Sequence, residues 1–157
     1  MRFVTATLIR RPVERVFDFL TTPANWLLWH PSSVKVTGAV DHPLQPGEQV
    51  TEEFVVAGQF GKAVWTVREC SAPHHWLIDG VAENGNRATI TYTLRPQDGG
   101  TSFERAMVLT RLQTEPPQEV LEAFRRQIDA ESTEALRRLK VLLEAEPTTP
   151  EQGKGIV

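Results

Sequence analysis

The chain has 157 residues, 40% hydrophobic and 24% charged, which fits one globular domain and excludes a disordered chain. Its 17 Lys and Arg against 20 Asp and Glu leave a net charge of −3, which argues against a nucleic-acid partner. The single Cys70 excludes an internal disulfide and a multi-cysteine zinc site, and the apolar runs 26–29 and 54–57 are too short to span a membrane.

Residues 2–9 alternate around β-branched side chains and read as a first strand. Pro12 then stands where proline is tolerated, at the first turn of a helix. Val13, Val16, Phe17 and Leu20 follow at i, i+3, i+4 and i+7, one apolar stripe that Thr21, Thr22 and Pro23 close. Residues 23–31 form an aromatic-rich connection with room for one more helical turn. From residue 34 the period becomes two, with strands predicted over 34–38, 48–57, 60–70, 75–82, 86–96 and 101–111. The links are short and carry turn chemistry at Asn84-Gly85, Gly58, Gly61, Gly99 and Gly100, so the strands run as an antiparallel meander. Helix-start residues at 114–117 open a long helix to about Ala145, with Leu121, Phe124, Ile128, Ala135, Leu139 and Leu142 on its apolar side. Residues 146–157 lack an apolar face and read as a flexible tail behind a single 1–145 domain. With one cysteine and no leader or spanning segment read in the sequence, the chain is expected to be cytoplasmic.

Alternation also assigns faces. Ala88, Ile90, Tyr92 and Leu94 share the inner face of one strand, and Ala63, Trp65 and Val67 that of another, with Lys62, Thr66 and Arg68 outside. Phe103, Met107 and Leu109 point inward on the last strand, and the period carries Arg105 with them. Val50, Phe54 and Val56 carry Glu52 inward in the same way. A charge on an inner face costs several kcal/mol, on the order of magnitude, unless it is paired or solvated. Two explanations stand side by side: Glu52 and Arg105 neutralise each other, or they face a cavity lined by Phe54, Trp65, Tyr92 and Met107.

Other chemistry-bearing residues have plainer readings. His74 and His75 sit in a turn without carboxylate or cysteine at ligand spacing, so no metal is expected there. His30 reads as a capping or packing residue, Cys70 as a small buried hydrophobe, and Trp26 and Trp29 as anchors of the first helices on the sheet. Trp26 has the further option of bordering a pocket mouth. No HExxH string, Gly-rich phosphate loop or Ser/His/Asp order is present, and no cofactor is expected.

The stretch Ile9-Arg10-Arg11-Pro12-Val13-Glu14-Arg15-Val16-Phe17-Asp18-Phe19-Leu20-Thr21, followed by Trp29-His30-Pro31, resembles the opening of the polyketide cyclase/dehydrase-type family of the START-like (SRPBCC) superfamily. Trp65-Thr66-Val67-Arg68-Glu69-Cys70 with Pro73, and the closing Ala135-Leu136-Arg137-Arg138-Leu139-Lys140-Val141-Leu142-Leu143-Glu144, are similar too. The resemblance spans residues 2–145 and implies an α+β helix-grip fold: a curved antiparallel sheet of about seven strands around a long C-terminal helix, with short helices between strands 1 and 2. In that strand order Glu52 and Arg105 face each other across the concave side, and Phe124 and Ile128 close the cavity. The superfamily holds carriers, enzymes, receptors and chaperone activators, so fold alone does not give function.

The leading expectation is binding of a small hydrophobic or aromatic ligand, lipid- or polyketide-like, with Arg105 able to take an anionic end. The binding set is then Glu52, Phe54, Trp65, Tyr92, Arg105, Met107, Phe124 and Ile128, in a monomer or a homodimer. The alternative is a cyclase or dehydrase, with Arg105 stabilising an enolate and Glu52 or Tyr92 moving the proton. A chaperone-activator-like role would need a sticky outer sheet face, whereas the Thr and Arg found there look solvated.

Overall fold

A computed structural model describes residues 1–110 and 116–147. The elements are β1 (Arg2–Ile9), α1 (Val13–Thr21), a short 3₁₀ turn (Pro23–Asn25), α2 (Trp26–Trp29), β2 (Ser33–Gly38), β3 (Gln49–Val56), β4 (Gln59–Ser71), β5 (His75–Ala82), β6 (Arg87–Gln97), β7 (Gly100–Thr110) and α3 (Gln118–Glu144). The last strand's expected end at Arg111, the helix-start residue Thr114 and the tail from 148 onward lie outside the described residues.

Each strand from β2 to β7 pairs antiparallel with the next, and β1 closes the far side against β7, giving the seven-stranded order β1-β7-β6-β5-β4-β3-β2. This is the helix-grip arrangement. The α1 stripe behaves as its spacing predicts: Val13, Val16, Phe17 and Leu20 are all buried, and Phe19 and Thr21 join them. On α3 the stripe drifts from the expected one. Ile128, Ser132, Ala135, Leu136, Leu139 and Leu143 are buried while Leu142 is exposed, because a 3.6-residue period rotates the seam across a 27-residue helix. The end of α3 is held by α1 and the residues just before it. Arg11 donates to the Glu144 carbonyl at 2.6 Å and to that of Glu146, and Arg15 pairs with the Glu146 carboxylate.

Two hairpins turn on residues in the left-handed region: Ala57 at φ 50° with Gly58 at 77°, and Asp98 at 49° with Gly99 at 77°. Gly61 and Gly100 are no turn residues. A Cβ on Gly61 would sit 2.4 Å from the Phe54 ring, and one on Gly100 would sit 2.4 Å from the Ile9 carbonyl oxygen, so both are there for close approach. Register slips by one residue between Val67 and Glu69 in β4, which returns Cys70 to the inner side near the sheet end. Cys70 is therefore half-buried, not buried. Thr66 lies on the outer face as expected, yet is covered by Gln49, whose amide donates to its hydroxyl at 3.0 Å. That outer face is less polar than its composition indicates, since the cross-strand pair Val64 and Val81 is exposed on it along with Val4 and Val108.

Candidate functional site

Between the concave face of the sheet and the N-terminal half of α3 lies a cavity of about 580 Å³. All eight sequence-predicted residues line it: Glu52 and Phe54 from β3, Trp65 from β4, Tyr92 from β6, Arg105 and Met107 from β7, and Phe124 and Ile128 from α3. They converge because inward-facing positions alternate on every strand and the sheet curls around the helix. Room for the rings is cut by glycine. A Cβ on Gly80, paired with Trp65 across β4 and β5, would meet the indole at 2.6 Å, as one on Gly61 would meet Phe54.

Glu52 and Arg105 make no direct ion pair among the described residues. Glu52 instead accepts from the Ser33 hydroxyl at 2.8 Å and from the Trp65 indole N–H at 3.0 Å. Burial raises its pKa, and these two bonds and the more distant Arg105 charge oppose that rise only in part. Arg105 is 8% exposed, and its Nε has no partner among the described residues. Opposite it on β6, burial pushes the Tyr92 hydroxyl up to about 12, with the neighbouring guanidinium pulling the other way. Tyr92 is held in an aromatic row, stacked on Trp76 at 5.2 Å and edge-on to Phe103 at 5.2 Å.

Sequence reasoning missed further polar residues that line the same space, among them His30, Ser32 and Glu131, with Ser132 on α3 and the exposed Lys62 and Arg87 on the strands. Ser32 follows α2 and donates from its hydroxyl to Glu131 on α3 at 3.1 Å, while the other Glu131 oxygen accepts the Ala57 N–H at 3.0 Å. One carboxylate thus ties the helix to both the β3–β4 turn and the segment after α2. His30 is held below by the Ser32 N–H, which donates to its Nδ1 at 3.4 Å, and beside by the Trp29 ring at 5.4 Å. Burial, helped by the Arg105 charge, lowers its pKa to about 3. Its signal in the sequence was the Trp29-His30-Pro31 motif, whose place at the end of α2 is what aims it at the cavity.

Trp26 and Trp29 line the cavity as well as anchoring α2, with Trp26 edge-on to Trp76 at 6.4 Å. His74 and His75 stay apart from it: His74 is exposed beside the Leu94 carbonyl, and His75 pairs with Glu69 at 3.2 Å. Among the described residues, no helix is long and apolar enough to cross a membrane.

A largely apolar cavity between the curved sheet and a long helix, with polar groups aimed into it, is the arrangement of a helix-grip domain. The family model for polyketide cyclase/dehydrase and lipid transport matches residues 1–144, and the chain belongs to that family. Penitrem biosynthesis cluster 1 protein I of Penicillium ochrochloron is 30% identical over 112 residues, covering 64% of this chain and 71% of that protein. Protein CV1439 of Chromobacterium violaceum superposes with a TM-score of 0.68 at 18% identity, covering 91% of this chain and 97% of that one. DynU16, a protein of the dynemicin biosynthetic locus, superposes with a TM-score of 0.65 at 16% identity, covering 92% of this chain and 47% of that one.

Proposed function

We propose that the chain binds a small hydrophobic or aromatic molecule, lipid- or polyketide-like, between the sheet and α3. The observation that carries this is the cavity of about 580 Å³, inside the roughly 300–1,000 Å³ range of small-molecule sites. Phe54, Trp65, Met107, Phe124 and Ile128 supply apolar contact, Tyr92 and Glu52 supply directional hydrogen bonds, and Arg105 takes an anionic end. The penitrem-cluster relative supports a role in a biosynthetic pathway.

A second reading rests on the raised pKa values of Glu52 and Tyr92 beside a buried cation. Groups biased towards their protonated forms suit proton donation, and Arg105 suits a developing enolate, which together describe a cyclase or dehydrase step. Native mass spectrometry of the protein purified from its host distinguishes these. A single bound species of constant mass, released on denaturation, fits a binding module. Release of a species that differs from an added precursor by loss of water fits the enzyme. A protein that carries nothing and takes up no hydrophobic probe contradicts both.

A further inference from the structure

Three buried nitrogens on residues that line this cavity have no partner among the described residues: Trp29 Nε1 on the indole, and two on side chains that can recognise an anion. Arg105 Nε is one, on a side chain that is 8% exposed and has no ion pair among the described residues. His30 Nε2 is another, also enclosed and unbonded among the described residues. Its state follows from its neighbour. The Ser32 N–H donates to Nδ1, so Nδ1 is the acceptor and Nε2 carries the ring proton. Both residues therefore present N–H donors, and they line the same space. An unmet buried donor costs free energy in the empty protein, and two of them around one cavity are satisfied together by a ligand with two acceptor lone pairs. The Arg105 charge reaches His30, Tyr92 and Glu52, and the guanidinium hydrogen-bonds the Tyr92 side chain, but no ion pair joins it to Glu52 among the described residues. An anion is thus favoured over a neutral acceptor.

We propose that Arg105 and the Nε2–H of His30 form a two-donor seat for an ionised carboxylate, so that the ligand is an aromatic or otherwise hydrophobic monoacid with its apolar body against Trp65, Phe54 and Met107. This rests on the reading of the cavity as a small-molecule site and adds the chemical class and a second recognising residue. His30 acts in its neutral form, as a hydrogen-bond donor of fixed tautomer. Arg105 supplies the charge.

The test uses two probes of nearly equal shape, 2-naphthoate and 2-naphthamide, titrated calorimetrically at pH 7.5 into the full chain. The acid should bind at least about tenfold more tightly than the amide. His30→Asn keeps an acceptor for the Ser32 N–H and deletes the Nε2 donor, so it should weaken the acid more than the amide and reduce that preference several-fold. Arg105→Met should abolish the preference, and Arg105→Lys, which keeps the charge, should restore part of it even if the Met variant folds poorly. Equal binding of acid and amide overturns the carboxylate seat and leaves the small-molecule reading standing. A preference lost in Arg105→Met but untouched in His30→Asn overturns the role of His30. Failure of both probes to bind, with a folded protein, overturns the small-molecule reading itself.

Discussion

Arg105 is buried, hydrogen-bonds the Tyr92 side chain and makes no ion pair among the described residues. Burying a guanidinium with no ion pair among the described residues costs stability in the empty fold, so Arg105→Met, which keeps the stem and deletes the charge, should leave the melting temperature unchanged or raise it. If Arg105 were a structural partner of Glu52, the same change would cost about 3–5 kcal/mol and Glu52→Gln would partly rescue it, which thermal melts of the three variants read directly. His30 makes a pH-dependent prediction of opposite character. Its folded pKa of about 3 lies below the ordinary value of 6.5, so the unfolded chain takes up the proton first. The stability tied to a neutral His30 is complete above pH 6.5 and is lost as pH falls towards 3, at up to about 1.4 kcal/mol per pH unit. Glu52, raised by burial, works against this trend: its contribution is present below its ordinary pKa and lost as pH rises through the folded value. Arg105, Glu131 through Ser32, and the Trp29 ring are the other groups around His30. Urea melts from pH 4 to 8 should therefore show a shallower acid limb in His30→Asn than in the parent, and identical limbs would contradict the buried neutral imidazole.

At the scale of elements, α1 and α3 carry different loads. Phe17 sits in the middle of the α1 stripe at 2% exposure, so Phe17→Ala should lose about 3–5 kcal/mol by chemical denaturation. A loss under roughly 1 kcal/mol would mean the stripe is not packed. On α3, Glu131 is the tether. Glu131→Ala strands the Ala57 N–H and the Ser32 hydroxyl, so the β3–β4 turn should exchange its amide protons faster, with a loss of about 1–3 kcal/mol. The elements were legible in the sequence because period-two alternation and the i, i+3, i+4 spacing of α1 are local signals. What was not legible came from packing at a distance. The seam of α3 turned from Leu142 to Leu143, Gly61 proved to make room for Phe54, and the β4 bulge moved Cys70, none of which a single strand or helix encodes by itself. Glu131 is the same case: on an isolated helix it is one acid among several, and only the sheet supplies its partners.

For the molecule as a whole, function centres on a cavity whose wall is assembled from alternate residues of separate strands. Glu52 and Arg105 were legible as the charged exceptions to alternation, whereas His30 was not, since a lone histidine after a short helix has no period to betray its direction. The four tryptophans give that wall its own reporters. Trp26 and Trp76 donate their indole N–H to the Leu20 and Leu44 carbonyls at 3.0 and 3.1 Å, Trp65 donates to Glu52, and Trp29 Nε1 has no partner among the described residues. Trp65 and Trp29 line the cavity and Trp76 does not. The most direct measurement is therefore a two-dimensional proton–nitrogen spectrum of the indole region during titration with 2-naphthoate, with Trp65→Phe assigning its own signal. Binding in this cavity predicts saturable shifts of the Trp65 and Trp29 indole resonances, with that of Trp76 nearly still. A saturable shift confined to Trp76, or binding that moves none of the four, would contradict it.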